Sequence, residues 1–139
     1  MEEKTIRLVQ DSFRRLVPIA DQVGEVFYAR LFATHPAVRP MFAEDASPQA
    51  KKLILMLSMV VNGLDKLDTI MPAVRQLAQR HRGYGVVDAH YEAVGETLLW
   101  TLRHGLAEHY TAEVEAAWTE AYGLLSGAMI TATHEGVAP

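Results

Sequence analysis

Six histidines and no cysteine set the chemistry open to this chain. Without thiols there is no disulfide, zinc ribbon, iron–sulfur cluster, thiolate nucleophile or covalent porphyrin attachment. No H-E-x-x-H or H-x-x-E-H pattern and no carboxylate cluster is present, which argues against a zinc hydrolase. Ser12, Ser47, Ser58 and Ser126 stand in no nucleophile context. One position breaks its pattern informatively. His81 follows Val74, Leu77 and Ala78 on an apolar helical stripe, and Gly83 and Gly85 behind it let the backbone turn sharply. One reading is a half-buried histidine at a helix C-terminus, where cations are favoured. The other is a metal or cofactor ligand, because a neutral imidazole on a wall of Leu and Val gives an iron porphyrin its axial nitrogen and its apolar surroundings.

The remaining histidines are weaker candidates. His35 precedes Pro36, His90 lies at a helix start, and His104, His109 and His134 fall at polar or terminal positions. Tyr28 sits beside Phe27 in an apolar helix, either as a core aromatic or as a buried hydroxyl that needs a partner. Gln49 lies four residues before Leu53 and faces the same way on a helix, and by itself reads as a solvated first-turn residue.

These side chains need elements to hold them. The chain has 139 residues, enough for one compact domain with a real core. Hydrophobic content of 50% and charged content of 22% exclude disordered and collagen-like classes. The net charge of −4 leaves no basic excess to neutralise phosphates, so no nucleic-acid partner is expected. Met1-Glu2-Glu3-Lys4-Thr5 does not read as a signal peptide. The longest uncharged apolar run, Leu53 to Leu64, is too short to span a bilayer, so the expectation is a soluble, cytoplasmic protein without a membrane partner. No G-x-G-x-x-G, P-loop or internal repeat occurs, and the length leaves no room for a reductase module.

Every segment with a clear period reads as helix. The first runs from about Lys4 to Val17 and stops at Pro18; the second spans about Ala20 to Thr34. Pro36 starts a short turn of helix ending near Phe42, and Ala43 to Ala46 form a loop. Ser47-Pro48 reads as an N-cap and first helical position, followed by a broad apolar stripe from Leu53 to Leu64. The next helix is expected to begin near Pro72 and end at Gly83 or Gly85. Asp88 would cap a long helix to about Leu106, and Thr111 would cap the last. A frayed tail is expected over 134–139. Six or seven helices joined by short loops make an all-α domain over residues 1–139.

Three stretches together carry a family resemblance. Phe27-Tyr28-Ala29-Arg30-Leu31-Phe32-Ala33-Thr34-His35-Pro36, then Val38-Arg39-Pro40-Met41-Phe42, resembles the second and third helices of bacterial globins. Arg80-His81-Arg82-Gly83-Tyr84-Gly85-Val86, followed by Ala89-His90-Tyr91-Glu92-Ala93-Val94-Gly95, resembles the proximal region of flavohaemoglobins and their single-domain relatives. Ala117-Trp118-Thr119-Glu120-Ala121-Tyr122-Gly123 resembles their last helix. The likeness runs in one frame from about Thr5 to Thr133.

The resemblance implies a globin fold around a pocket for haem b. It implies that His81 is the proximal iron ligand, that Phe42 wedges against the porphyrin, and that Val94 is an apolar haem contact. Tyr28 and Gln49 correspond to the distal polar pair, Leu53 to the aliphatic residue over the ligand, and Tyr91 to the tyrosine approaching the proximal imidazole. One departure is visible. The family's relay carboxylate late in the last helix falls on Thr133 in ungapped register, with Glu135 two residues on, which implies a weaker push on the iron. The implied function is reversible dioxygen binding for storage, delivery or scavenging, with NO and CO as further ligands. The enzyme alternative is nitric oxide dioxygenation with a separate reductase. A third, a haem-free globin-like sensory module, sits poorly with His81.

Overall fold

The computed structural model describes residues 1–83 and 85–135. Among them there are six α-helices and no strand: α1 (Glu3–Leu16), α2 (Ala20–Thr34), α3 (Ser47–Asn62), α4 (Leu67–Gly83), α5 (Asp88–Leu106) and α6 (Ala112–Glu135), linked partly by short 3₁₀ turns. Tyr84, the side chains of His134 and Glu135 and residues 136–139 lie outside the described residues, so most of the expected frayed tail does too.

The helix ends follow their residues. Pro18 and Pro36 each sit in a 3₁₀ turn, at Val17–Ile19 and Pro36–Met41, where a missing N–H does least harm. Thr111 caps α6, its Oγ1 accepting the Val114 N–H at 3.1 Å. Two expected starts are corrected. Ser47 is the first helical residue rather than the cap, and its N–H donates to Asp45 Oδ1 at 3.0 Å. Likewise Asp88 opens the helical part of α5, and the preceding Val87 N–H is taken by His90 Nδ1 at 3.0 Å.

The largest shift is in α4, which begins at Leu67 rather than near Pro72. Pro72 leaves the Asp68 carbonyl without its helical donor, but both residues are exposed and water can serve it. The gain is apolar: Leu67, Ile70, Met71 and Val74 meet Leu124, Leu125 and Ala128 of α6 around one small interspace.

Packing joins α1 and α4 to α6, and α3 and α5 to α2. Gly24 on α2 is where the chain needs a missing side chain. A Cβ there would lie 3.0 Å from the Ala50 Cβ and 3.1 Å from the Ala50 carbonyl oxygen, so the two helices cross almost backbone to backbone. This approach brings Tyr28, one turn after Gly24, beside the first turn of α3. The core closes over Val9, Phe13, Phe27, Leu57, Leu98, Leu102 and Trp118. Ser12 is absorbed structurally: its Oγ donates to Leu8 O and accepts the Trp118 indole N–H at 2.8 Å.

Candidate functional site

Among the described residues, α4 lies along α6 and makes no comparable contact with α2, α3 or α5. The candidate residues stand on two walls. One wall is α2, the 3₁₀ turn after it and α3, and the other is α4 and α5.

On the first wall Tyr28 is buried, 7% exposed. Its ring meets Phe27 edge-on at 5.0 Å and Phe42 edge-on at 5.3 Å, and lies 5.8 Å from Phe32. Phe32 and Phe42 also meet, at 5.3 Å. The aromatic box withdraws the phenol from water and pushes its pKa up to about 12, while a hydrogen bond from the Gln49 side chain draws it partly back. Tyr28 therefore keeps its proton over the physiological range and remains a donor. Gln49 is exposed in the first turn of α3, and Leu53, one turn on, is half-buried against the core. The structure thus brings Tyr28, Phe42 and Gln49 together and puts Leu53 on the same helix.

On the second wall His81 is half-buried in the last turn of α4. Its Nδ1 lies 2.8 Å from the Leu77 carbonyl oxygen. A carbonyl only accepts, so the proton resides on Nδ1 and the free lone pair of the ring on Nε2. An imidazole held in this way is oriented for coordination through Nε2. The turn that follows is fixed by Gly85 N–H to Arg82 O at 3.0 Å and Val86 N–H to His81 O at 3.1 Å, with Gly85 at φ 85°.

Tyr91 is 7% exposed, and its hydroxyl has no hydrogen-bond partner. Burial and the nearby Asp88 carboxylate raise its pKa. The hydroxyl makes no bond to His81, whose partner is the Leu77 carbonyl. Val94, one turn on, is half-buried. Behind Tyr91, the Tyr122 hydroxyl donates to the Tyr91 carbonyl, and a Cβ at Gly95 would run into the Tyr122 ring at 2.7 Å. At the end of α6 the Thr133 hydroxyl turns back to Ile130 O at 2.6 Å. There α4 is tied to α6 through carbonyls instead, Gln79 Nε2 to Ala132 O at 2.7 Å and Arg82 Nη1 to Thr133 O at 3.4 Å.

The residues suit a haem. An imidazole with Nε2 free, half-exposed Leu53, Phe42, Leu77 and Val94, and a buried phenol without a partner are what a flat apolar cofactor with one open axial position requires. Sequence reasoning missed the Leu77 carbonyl, which the i−4 spacing on a helix could have suggested. It also missed the part played by Phe32, which stands four residues from Tyr28 on α2.

The comparisons agree with this architecture. The globin family model matches residues 25–129, and the chain belongs to the globin family, with homology to the globin domains of flavohaemoglobins. It is 29% identical over 137 residues to a flavohemoprotein of Bacillus subtilis, covering 94% of this chain and 33% of that protein. It is 31% identical over 133 residues to a flavohemoprotein of Rhodopirellula baltica, with the same coverage of 94% and 33%. The chain thus spans about a third of the length of the curated relatives it matches. Among solved structures, a bacterial globin from Campylobacter jejuni superposes with a TM-score of 0.86 at 24% identity, over 96% of this chain and 97% of that one. An engineered carbene transferase derived from a proposed nitric oxide dioxygenase of Rhodothermus marinus does so with a TM-score of 0.88 at 27% identity, over 97% and 94%. Family membership carries haem as the cofactor class. No helix among the described residues is long and apolar enough to cross a membrane.

Proposed function

We propose that the chain is a haem b globin that binds dioxygen reversibly, for storage, delivery or scavenging in the cytoplasm. The observation that carries this reading is the His81 ring held at Nδ1 by an uncharged main-chain carbonyl; by the family resemblance, Thr133 takes the place of a carboxylate. A carbonyl fixes tautomer and orientation without the electron release of a carboxylate partner, which favours holding a ligand over activating it. His81, through its free Nε2, would hold the haem iron, with Tyr91 and Val94 beside it, and the iron would supply the capacity to bind a diatomic molecule such as dioxygen, NO or CO. Phe42 and Leu53 keep water from the ligand side, which strengthens any polar contact there. Tyr28, and after it Gln49, donate to a ligand that carries negative charge.

A second reading, nitric oxide dioxygenation, is favoured by the flavohemoprotein relatives and by the Rhodothermus marinus neighbour. It combines NO, dioxygen and one electron to give nitrate. These 139 residues contain no nicotinamide- or flavin-binding fingerprint, so the electron would come from a reductase outside them.

The test is an absorption titration of the purified chain with haemin, followed by reduction and repeated exposure to air and argon. One-to-one uptake and a reversible spectral change on aeration support the oxygen-binding reading. A chain that develops no Soret band refutes it. Sustained NO consumption once an NADH-driven flavin reductase is added would move the assignment to the dioxygenase.

A further inference from the structure

One charged side chain on the distal wall is used in a way that ligand binding by itself does not require. The Arg39 guanidinium donates through Nη1 to the Ala43 carbonyl at 2.9 Å and to the Phe42 carbonyl at 3.4 Å, and through Nη2 to the Glu44 carbonyl at 2.6 Å. It also lies 4.6 Å from the centroid of the Phe32 ring. The Phe42 N–H in turn donates to the Arg39 carbonyl at 3.1 Å, so one residue engages both main-chain groups of Phe42.

Residues 42–44 connect the 3₁₀ turn to α3, where no helical ladder supplies their carbonyls with donors. A planar guanidinium with five donors can gather three successive carbonyls; an ammonium on a flexible stem cannot do so in one geometry. The connection carries Phe42 at one end and leads through Asp45, which anchors the Ser47 N–H, to Gln49 at the other. The Phe32 ring under the guanidinium is the same ring that packs on Phe42 and Tyr28. We infer that Arg39 is a positioning residue that clamps Phe42 and the approach to Gln49, and, resting on the haem reading above, that it sets how firmly the pocket retains the cofactor.

The test compares the parent with Arg39→Lys, Arg39→Gln, Phe42→Leu and the Arg39→Gln/Phe42→Leu pair. Three readouts are taken on the full chain: chymotryptic cleavage after Phe42 before haem is added, haem release to an excess of haem-scavenging apoprotein, and the urea midpoint. Both Arg39 variants should be cut at Phe42, and should release haem, about 5- to 30-fold faster, the factor that corresponds to a net loss of about 1–2 kcal/mol once solvent has weakened the clamp's bonds at a partly exposed site. The urea midpoint should fall by no more than the loss that the cleavage rates report, since the clamp is broken in both the open and the unfolded chain. In the Phe42→Leu background, Arg39→Gln should no longer alter haem release, because the side chain it acts through is gone. If Arg39→Lys behaved as the parent, charge alone would suffice and the clamp would be refuted. An Arg39→Gln effect of equal size with and without Phe42 would refute action through Phe42. If the parent took up no haem, the functional reading would fall while the cleavage rates still decided the clamp.

Discussion

The Nδ1–H of His81 donates to the Leu77 carbonyl at 2.8 Å, one turn back along α4. This single bond fixes the tautomer and aims Nε2 away from its own helix. At the end of α6 the Thr133 hydroxyl bonds within its own helix, to the Ile130 carbonyl.

Replacing His81 with alanine should abolish tight haem binding, and free imidazole should restore it. His90 is the internal control. Its Nδ1 serves the N-terminus of α5, so His90→Ala should keep the parent spectrum. A His81→Ala variant with an unchanged reduced spectrum would show that another residue ligates the iron.

Tyr28 should dominate oxygen retention, and Gln49 should tune it. The phenol is packed on three sides by aromatic rings, whereas Gln49 is exposed and must immobilise three torsions to donate. A hydrogen bond to a charged acceptor is worth roughly 1.5–3 kcal/mol, so Tyr28→Phe should speed oxygen release about 10- to 150-fold. Carbon monoxide, with little charge on its oxygen, should respond far less. Stopped-flow release of both gases separates hydrogen bonding from pocket size. An oxygen rate within about twofold of the parent would remove Tyr28 from this role.

Alkali should weaken the fold in a definite window. Tyr28 is held at about 12 by burial, against about 10 for an unfolded tyrosine. Below pH 10 both states carry the proton and the stabilisation is fully present. Between about pH 10 and 12 the unfolded chain loses its proton first, so stability falls as pH rises, by up to about 3 kcal/mol. Burial also raises Tyr122, with the same sign. The urea midpoint should be flat near neutrality and decline above about pH 10, less steeply in Tyr28→Phe. An identical decline in that variant would contradict the burial argument.

Gly24→Ala should cost stability although alanine is the better helix former. Helix propensity favours alanine by about 1 kcal/mol. Against it, the new Cβ would press on the Ala50 main chain at 3.1 and 3.3 Å, and backbone yields less readily than a side chain. A net loss of about 1 kcal/mol is expected. Oxygen release should also quicken as α2 and α3 part and Tyr28 separates from Gln49. A more stable variant with unchanged release would show that the crossing is not tight.

How much was legible in the sequence differs from residue to residue. The limits of α2, the cap at Thr111, the end of α1 near Pro18 and the short helical turn opened by Pro36 could be read directly, because periodicity, a hydroxyl before a helix and a missing N–H act over a few residues. The start of α4 could not. Pro72 signals a beginning locally, but Leu67, Ile70 and Met71 extend the helix only because α6 lies where they can bury against it.

The candidate site divides in the same way. Residue types and family likeness singled out His81, Tyr28 and Gln49 from the sequence. Tertiary structure decided that Gly24 and Ala50 bring α2 against α3, that Phe32 joins Phe42 around Tyr28, and that Arg39 gathers three carbonyls beside them. Such contacts follow from the packing of whole helices. A local pattern specifies which face of a helix is apolar, whereas the depth and angle at which two faces meet depend on every side chain between them.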